Sequence, residues 1–571
     1  MKIHQCTVST FLPSILVLFF VNFGFTQDAP IIKLPNGLIK GRVGQTIAKR
    51  PYWAYQKIPF ATPPLGDLRF AAPVPSKNWD GVLETTKYDV ICYQITSDSD
   101  LESEDCLYLN VYTPTDPSNK TNRGLPVMFF IYGGGFIEGN CFDYVYGPEY
   151  LLDRGVIVVC ANYRVGPFGF LSTGDMTVPG NNGLKDQLLA LQWTHDNIHL
   201  FGGDPTKVTI FGQSAGSASV AYHLLHTQSQ GLFRAVICES GSFLSPWAYQ
   251  RNARNYAFTT AGLIDEVVGK SNDSQTLLDF LRSVSAKELD QASYKLSLTE
   301  AHKNRQILQG FFFAPVIEPK HDGAFISQKM YVQLKKGDFI RVPTLMGFNS
   351  EENIFHTYLK LWFESALNTY DKNIDWLVPN DMRINDSEKR KQVGIKIRDI
   401  YTNGSDLLEN GPSSVRYYSD TSYTRPIRKH AEIQSQFSDV FFYQFSYDGK
   451  LGNWSFTVKG AENVSHGEDN CYIWRKYDDY YDNSDLCRFP LPDRITQYRI
   501  QTIWTNFAKY LNPTPKKSKL LQNITWPKFD SKAQYVDILK NLEIKSEPKK
   551  ETYDQWIELY DSLGYDDFDT Y

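Results

Sequence analysis

Short unbroken apolar runs alternate with longer amphipathic stretches through the middle of the chain. LPVMFFIY (125–132) is a continuous apolar run leading into three glycines, and VIVVCANYR (156–164) is a second such run. GLKDQLLALQWTHDNIHLF (183–201) instead spaces its apolar residues by three and four and closes on Gly202-Gly203. KVTIFG (207–212) reads as a strand, SASVAYHLLH (217–226) as a helix and RAVICESG (234–241) as the next strand. Brief apolar runs suit buried strands, whereas a 3.6-residue period over a longer window marks a helix with one buried face. VPTLMGFN (342–349) and DVFFYQFSYD (439–448) add two more strands, separated by a charged, helix-prone region over 351–437. This alternation predicts an α/β fold: a large, mostly parallel twisted sheet flanked by helices, with helical insertions. No internal repeat interrupts it, and no Gly-, Ser- or Pro-rich linker divides it. Residues 27–571 are therefore expected to form one domain.

The first 26 residues have a different pattern. Lys2 precedes an apolar run from Phe11 to Phe25, broken by Pro13 and Ser14, and small residues (Gly24, Thr26) follow before Gln27. A charged start, a short apolar run and small residues make a secretory signal, and the run falls short of the roughly 20 apolar residues of a membrane span. The expectation is a secreted, extracellular protein with no membrane anchor. A net charge of −5 gives no support for a nucleic-acid partner.

Secretion makes disulfides possible. Seven cysteines follow the signal: Cys92, Cys106, Cys141, Cys160, Cys238, Cys471 and Cys487. Cys160 and Cys238 end strand-like runs and are expected as buried thiols. Cys92 with Cys106, and Cys471 with Cys487, flank short polar segments that a bridge could close. Sequons place candidate glycans on Asn119, Asn272, Asn385, Asn403, Asn453 and Asn523. A seventh, at Asn463, lies beside a candidate active-site loop and is expected to stay unmodified.

Gly212-Gln213-Ser214-Ala215-Gly216 has the form G-x-S-x-G between a strand and a helix. In that context the serine sits on a tight turn that bulky neighbours would obstruct. A serine hydroxyl needs a base, an acid to orient the base, and donors for the oxyanion that forms. Upstream, Gly133-Gly134-Gly135 follows a strand and can bring backbone N–H groups to a reacting carbonyl. Gly134, Gly135 and Ala215 are the candidate donors. In this strand–helix context the acid and then the base follow the serine. His466, in NVSHGED, sits in a short loop beyond a strong strand. His430, in RPIRKHAEI, reads as solvated, and His356 as helical. MGFNSEEN offers Glu351 and Glu352, and spacing does not choose between them. His195 and His199 are four apart but lack the H-E-x-x-H pattern, so no metal is expected. No cofactor is implied.

With these residues goes a run of further motifs: FATPPLGDLRFAAP, SEDCLYLNVYTP, IYGGGF, NYRVGPFGFL, GNNGLKDQ, FGGDP, FGQSAGS, GFNSEEN, SHGED and IWTNFAKYLNPTP. Together they resemble the type-B carboxylesterases, the cholinesterase-like branch of the α/β-hydrolases, and most of all secreted insect carboxylesterases. The resemblance implies a serine esterase acting on small-molecule esters through an acyl-enzyme, with Ser214 as nucleophile, Glu352 as acid and His466 as base. It implies an oxyanion hole at Gly134, Gly135 and Ala215, Trp247 on the acyl side of the pocket, and a Cys92–Cys106 bridge. Buried pairs Arg69–Glu104 and Arg164–Asp186 are implied as braces. ICYQITSDSDLESEDC lacks the choline-binding tryptophan of acetylcholine-hydrolysing relatives. The alternatives are a non-catalytic binding or adhesion protein on the same fold, and a lipase-type esterase.

Overall fold

The computed structural model describes the whole chain except residues 1–28, 96–98, 120, 122, 305–310, 453–455 and 478–480. The expected signal and the sequon at Asn453 lie outside the described residues. Fourteen strands are described. They begin with β1 (Ile31–Leu34), β2 (Gly37–Lys40), β3 (Arg42–Gln45), β4 (Pro51–Pro59), β5 (Val82–Glu84), β6 (Tyr108–Thr113) and β7 (Leu125–Ile131). They continue with β8 (Ile157–Ala161), β9 (Gly203–Gln213), β10 (Ala235–Glu239), β11 (Thr344–Asn349), β12 (Val440–Phe445), β13 (Gln534–Ile538) and β14 (Leu542–Ser546).

Strands β1, β2 and β5 form a small separate sheet. The other eleven make one sheet in the order β14-β13-β12-β11-β10-β9-β7-β8-β6-β4-β3. Its seven central strands, β8 to β13 in that order, are parallel, and antiparallel strands extend both edges. Parallel strands need helices on both faces, so each side of the sheet is buried. That is why VMFFI, IVVCA and AVICE read as unbroken apolar runs: all their residues are buried.

The region 351–437 contains the expected helices, including Gly411–Ser419 and Arg425–Gln434, joined by a π turn over Asp420–Thr424. The sheet resumes beyond them at β12, in register with β11. The register that matters for chemistry lies at the carboxyl ends, where Gln213 of β9 faces Glu239 of β10, and Glu239 faces Gly347 of β11. Loops leaving these ends share the crevice in which open α/β sheets present their sites.

Cys92 and Cys106 are bonded. Two cysteine readings need correction. Cys160 is not a free thiol but is bonded to Cys141, because the end of β8 lies beside the loop that follows the glycine turn, with Cα atoms 5.8 Å apart. Cys471 does not pair with Cys487. It faces inward on the short helix Asn470–Ile473 as a buried free thiol and donates to the Gly452 carbonyl at 3.5 Å, while Cys487 is exposed. Cys238 is a buried free thiol.

Candidate active site

The nucleophile candidate is held in a conformation that its neighbours impose. Ser214, between β9 and the helix Ala215–Leu225, has φ +59° and ψ −124°, which side-chain-bearing residues rarely adopt. Its N–H donates to the Glu239 carbonyl at 2.8 Å, and its carbonyl accepts from the Ala218 N–H at 2.9 Å. The turn fits only because Gly216 lacks a side chain: a Cβ there would lie 2.0 Å from the Ile131 carbonyl oxygen. The helix start thus packs directly on the end of β7, and the glycine turn that leaves β7 lies over Ser214.

That turn includes Gly134 (φ +105°) and Gly135 (φ +60°). It is braced from below by Tyr132 and Tyr163, whose rings stack 4.4 Å apart while each hydroxyl donates to the other residue's carbonyl. Just past Tyr163, Arg164 makes a buried two-point ion pair with Asp186, at 2.7 and 2.8 Å. Arg69 likewise grips Glu104.

The two glutamates of GFNSEEN part company in space. Glu352 brings Oε2 to 2.6 Å from His466 Nδ1, and its Oε1 accepts the Asn349 N–H at 2.7 Å. Glu351 turns the other way and is bound by Arg416 at 2.8 Å. Both carboxylates are fully buried, so burial does not separate them; their partners do. The His466 loop is tied to the end of β11 by the His466 N–H donating to the Glu352 carbonyl, and by the Asn349 amide donating to the Ser465 carbonyl.

The Glu352 contact puts the proton of the neutral imidazole on Nδ1 and leaves Nε2 as an acceptor. In this state Nε2 takes the Gln213 side-chain amide as donor, at 3.0 Å. Aromatic rings close around the imidazole, with Tyr423 centred 4.5 Å away and Phe355 6.3 Å away. Burial and the nearby His466 push the His356 pKa down to about 4.

Trp247 lies close by. Its indole N–H donates to the Ser422 carbonyl, and its ring meets Phe136, Phe311 and Tyr423. Phe311 also covers Gly135: a Cβ there would lie 2.8 Å from the Phe311 ring. Sequence reasoning did not find Gln213, Phe311 or Tyr423. The π turn that aims Tyr423 at His466 left no periodic signal within a charged stretch.

His430 corrects another reading. It is not solvated but fully buried, bonded to the Ser242 hydroxyl at 2.9 Å, and burial lowers its pKa to about 3. Among the described residues, no group of three or more His, Cys, Asp or Glu side chains is arranged to hold a metal. No described helix is long and apolar enough to cross a membrane.

The model of the carboxylesterase family matches residues 28–556. The chain belongs to the carboxylesterase family. Among its relatives, a juvenile hormone esterase of Tribolium castaneum is 34% identical, over 90% of this chain and 89% of its own length. Venom carboxylesterase-6 of Apis mellifera is 33% identical, over 93% and 94%. A crystal structure of the juvenile hormone esterase from Manduca sexta, with OTFP covalently attached, superposes with a TM-score of 0.80 at 25% identity, over 94% of this chain and all of that one. The eleven-stranded sheet with its helices is the α/β-hydrolase architecture of that family.

Behind the His466 loop this carboxylesterase buries three more carboxyl groups. Glu239 is fully buried, takes the Trp504 indole N–H at 2.5 Å, and is held well above the usual carboxylate range by burial and by Asp469. Asp469 is raised to about 6, and burial raises Glu468 from 4.5 to about 9. A carboxyl whose folded pKa exceeds its unfolded value binds its proton more tightly in the native state. Stability is then fully present below the unfolded pKa and falls as pH rises toward the folded one. Glu468→Gln is accordingly expected to flatten the decline of Tm between about pH 5 and pH 9, measured by thermal unfolding at intervals across that window.

Proposed function

We propose that this protein is a secreted serine carboxylesterase that hydrolyses small-molecule carboxylic esters through an acyl-enzyme. The observation that carries this reading is the buried Glu352–His466 contact of 2.6 Å beside a serine on a tight elbow. Ser214 Oγ attacks the ester carbonyl, and His466 Nε2 takes its proton and returns it to the leaving alcohol. For that transfer the Ser214 hydroxyl takes the place of the Gln213 amide at Nε2; hydrogen bonds in an unliganded site commonly rearrange when substrate enters. Glu352 holds the imidazole in the Nδ1–H form and stabilises the imidazolium.

The N–H groups of Gly134, Gly135 and Ala215 receive the developing oxyanion, each contributing on the order of 10²–10³ in rate. Water then attacks the acyl group by the same route in reverse. The acyl group faces Trp247 and Phe311, whose rings shorten the space on that side. Relatives named for juvenile hormone, cocaine and para-nitrobenzyl esters share the family, so likeness alone selects no single ester. The intact glutamate–histidine pair favours catalysis over a purely adhesive role.

Two bonded cysteine pairs among the described residues suit a chain that folds in an oxidising compartment. Five sequon asparagines, Asn119, Asn272, Asn385, Asn403 and Asn523, are exposed and open to glycosylation. Asn463 is less exposed and donates to Asp448 at 3.3 Å, which fits an unmodified residue. Stopped-flow hydrolysis of para-nitrophenyl acetate tests the mechanism. The reading expects a burst of nitrophenol approaching one equivalent per chain wherever deacylation is the slower step. Hydrolysis that competing alcohols never divert to a transesterified product would contradict an acyl-enzyme.

A further inference from the structure

The π turn Asp420–Thr424, between the helices Gly411–Ser419 and Arg425–Gln434, delivers one side chain to the active site. Such turns are rare inside helices and frequent at functional sites. This one is held by its own polar groups: Asp420 takes the Thr424 hydroxyl at 2.5 Å and the Tyr401 hydroxyl at 3.0 Å. The Ser422 carbonyl takes the Trp247 indole N–H at 2.9 Å, which ties the turn to the acyl side of the pocket. The Tyr423 ring consequently lies between Trp247 and His466, with centres 5.6 Å and 4.5 Å away.

Tyr423 is only 8% exposed, yet its hydroxyl makes no hydrogen bond among the described residues. A buried tyrosine ordinarily finds a partner for that group. Tyrosines of the same insertion do: Tyr401 donates to Asp420, and Tyr417 to the Leu377 carbonyl at 3.2 Å. Nor is the Tyr423 oxygen sealed in by its surroundings, as the Tyr418 oxygen is. It keeps an open side, and the space that its ring borders is the substrate pocket.

The neighbouring rings offer no such donor. Trp247 commits its N–H to Ser422, and Phe136, Phe311 and Phe355 have none to give. Burial and the nearby Glu352 raise the Tyr423 pKa, so the hydroxyl keeps its proton and is available to donate. The same carboxylate repels an anion brought beside it, which leaves a neutral acceptor as the fitting partner. A phenylalanine would cover the imidazole equally well if packing were all that position 423 supplied.

We propose that Tyr423 is a specificity-determining residue whose hydroxyl donates a hydrogen bond to a neutral oxygen in the acyl part of the ester. The esters it favours carry an ether, hydroxyl or carbonyl oxygen a few bonds beyond the reacting carbonyl. An acyl chain of carbon alone fills the same space but leaves the hydroxyl unpaired as water is displaced, and a site with an unmet polar group discriminates against such a chain. The assignment rests on the Ser214–His466 reading above and adds the class of acyl group that the site prefers.

Hydrolysis of two matched pairs of para-nitrophenyl esters by the intact protein and by Tyr423→Phe tests it. The pairs are methoxyacetate with butyrate and β-methoxypropionate with pentanoate, in each of which one oxygen replaces one methylene. The ratio of kcat/KM for the ether ester to that for the alkyl ester is compared between the two proteins, so the intrinsic reactivity of each ester cancels. In at least one pair the substitution should lower this ratio by about fivefold, the usual net worth of one neutral hydrogen bond. The Tm of Tyr423→Phe should equal or exceed that of the wild type, because no bond within the protein is lost. Turnover with unchanged ratios in both pairs, or a Tm below wild type, would overturn the assignment while leaving the esterase reading in place. A wild-type protein that hydrolyses none of the four esters would overturn both.

Discussion

Glu352→Gln is expected to lower kcat by about 10⁴ while leaving the fold intact, the loss typical when the acid of such a triad becomes an amide and the imidazole takes the wrong tautomer. The amide keeps the volume and can still accept the Asn349 N–H, but it no longer compels Nδ1 of His466 to carry the proton. Its neighbour supplies the control. Glu351→Gln removes the charge that Arg416 binds in a fully buried position, and should cost stability of about 3 kcal/mol with a far smaller effect on kcat in the protein that remains folded. Steady-state kinetics and thermal unfolding of the two variants together separate an acid from a structural ion pair. Equal losses of kcat in both would remove the distinction on which the proposed triad rests.

The second large effect is expected at Ser214. Ser214→Ala should reduce kcat by about 10⁶, the residue of activity coming from the oxyanion donors and substrate binding. Stability should barely change, because alanine must adopt the same positive-φ backbone as serine. Ser214→Gly, equally inactive, should instead be more stable by about 1 kcal/mol, since glycine enters that region without strain. A gain in stability on losing the nucleophile would identify the elbow as a strained element kept for chemistry.

Much of this arrangement was legible in the residues because it is local. VTIFG before Ser214, and the small residues after it, set a strand, an elbow and a helix within ten positions. VPTLMGFN and DVFFYQF are each compatible with only one buried element. The parts that were not legible depend on distant partners. Glu351 and Glu352 are adjacent and equally buried, and Arg416, 65 positions further on, decides which of them turns away from His466. His430 was misplaced because RPIRKHAEI looks solvated. Its charged neighbours are in fact buried against aromatic faces, with the Arg425 guanidinium 4.1 Å from the Trp556 ring centre and that of Arg428 3.8 Å from Tyr553. Charge read along a chain reports solvation only when no aromatic surface arrives from elsewhere. Cys141 and Cys160 belong to different elements, and their bond follows from how β8 meets the glycine turn rather than from any local spacing.

Acyl transfer to one serine is the central claim, and acid-quenched peptide mapping addresses it directly. The protein is mixed with para-nitrophenyl acetate, quenched within the first turnover, digested and analysed by mass spectrometry. The account predicts an added acetyl group on Ser214, within the peptide containing VTIFGQSAGS, that disappears as turnover is exhausted and never forms in Ser214→Ala. Wild-type turnover with acetylation confined to another residue, or undiminished hydrolysis by Ser214→Ala, would contradict it.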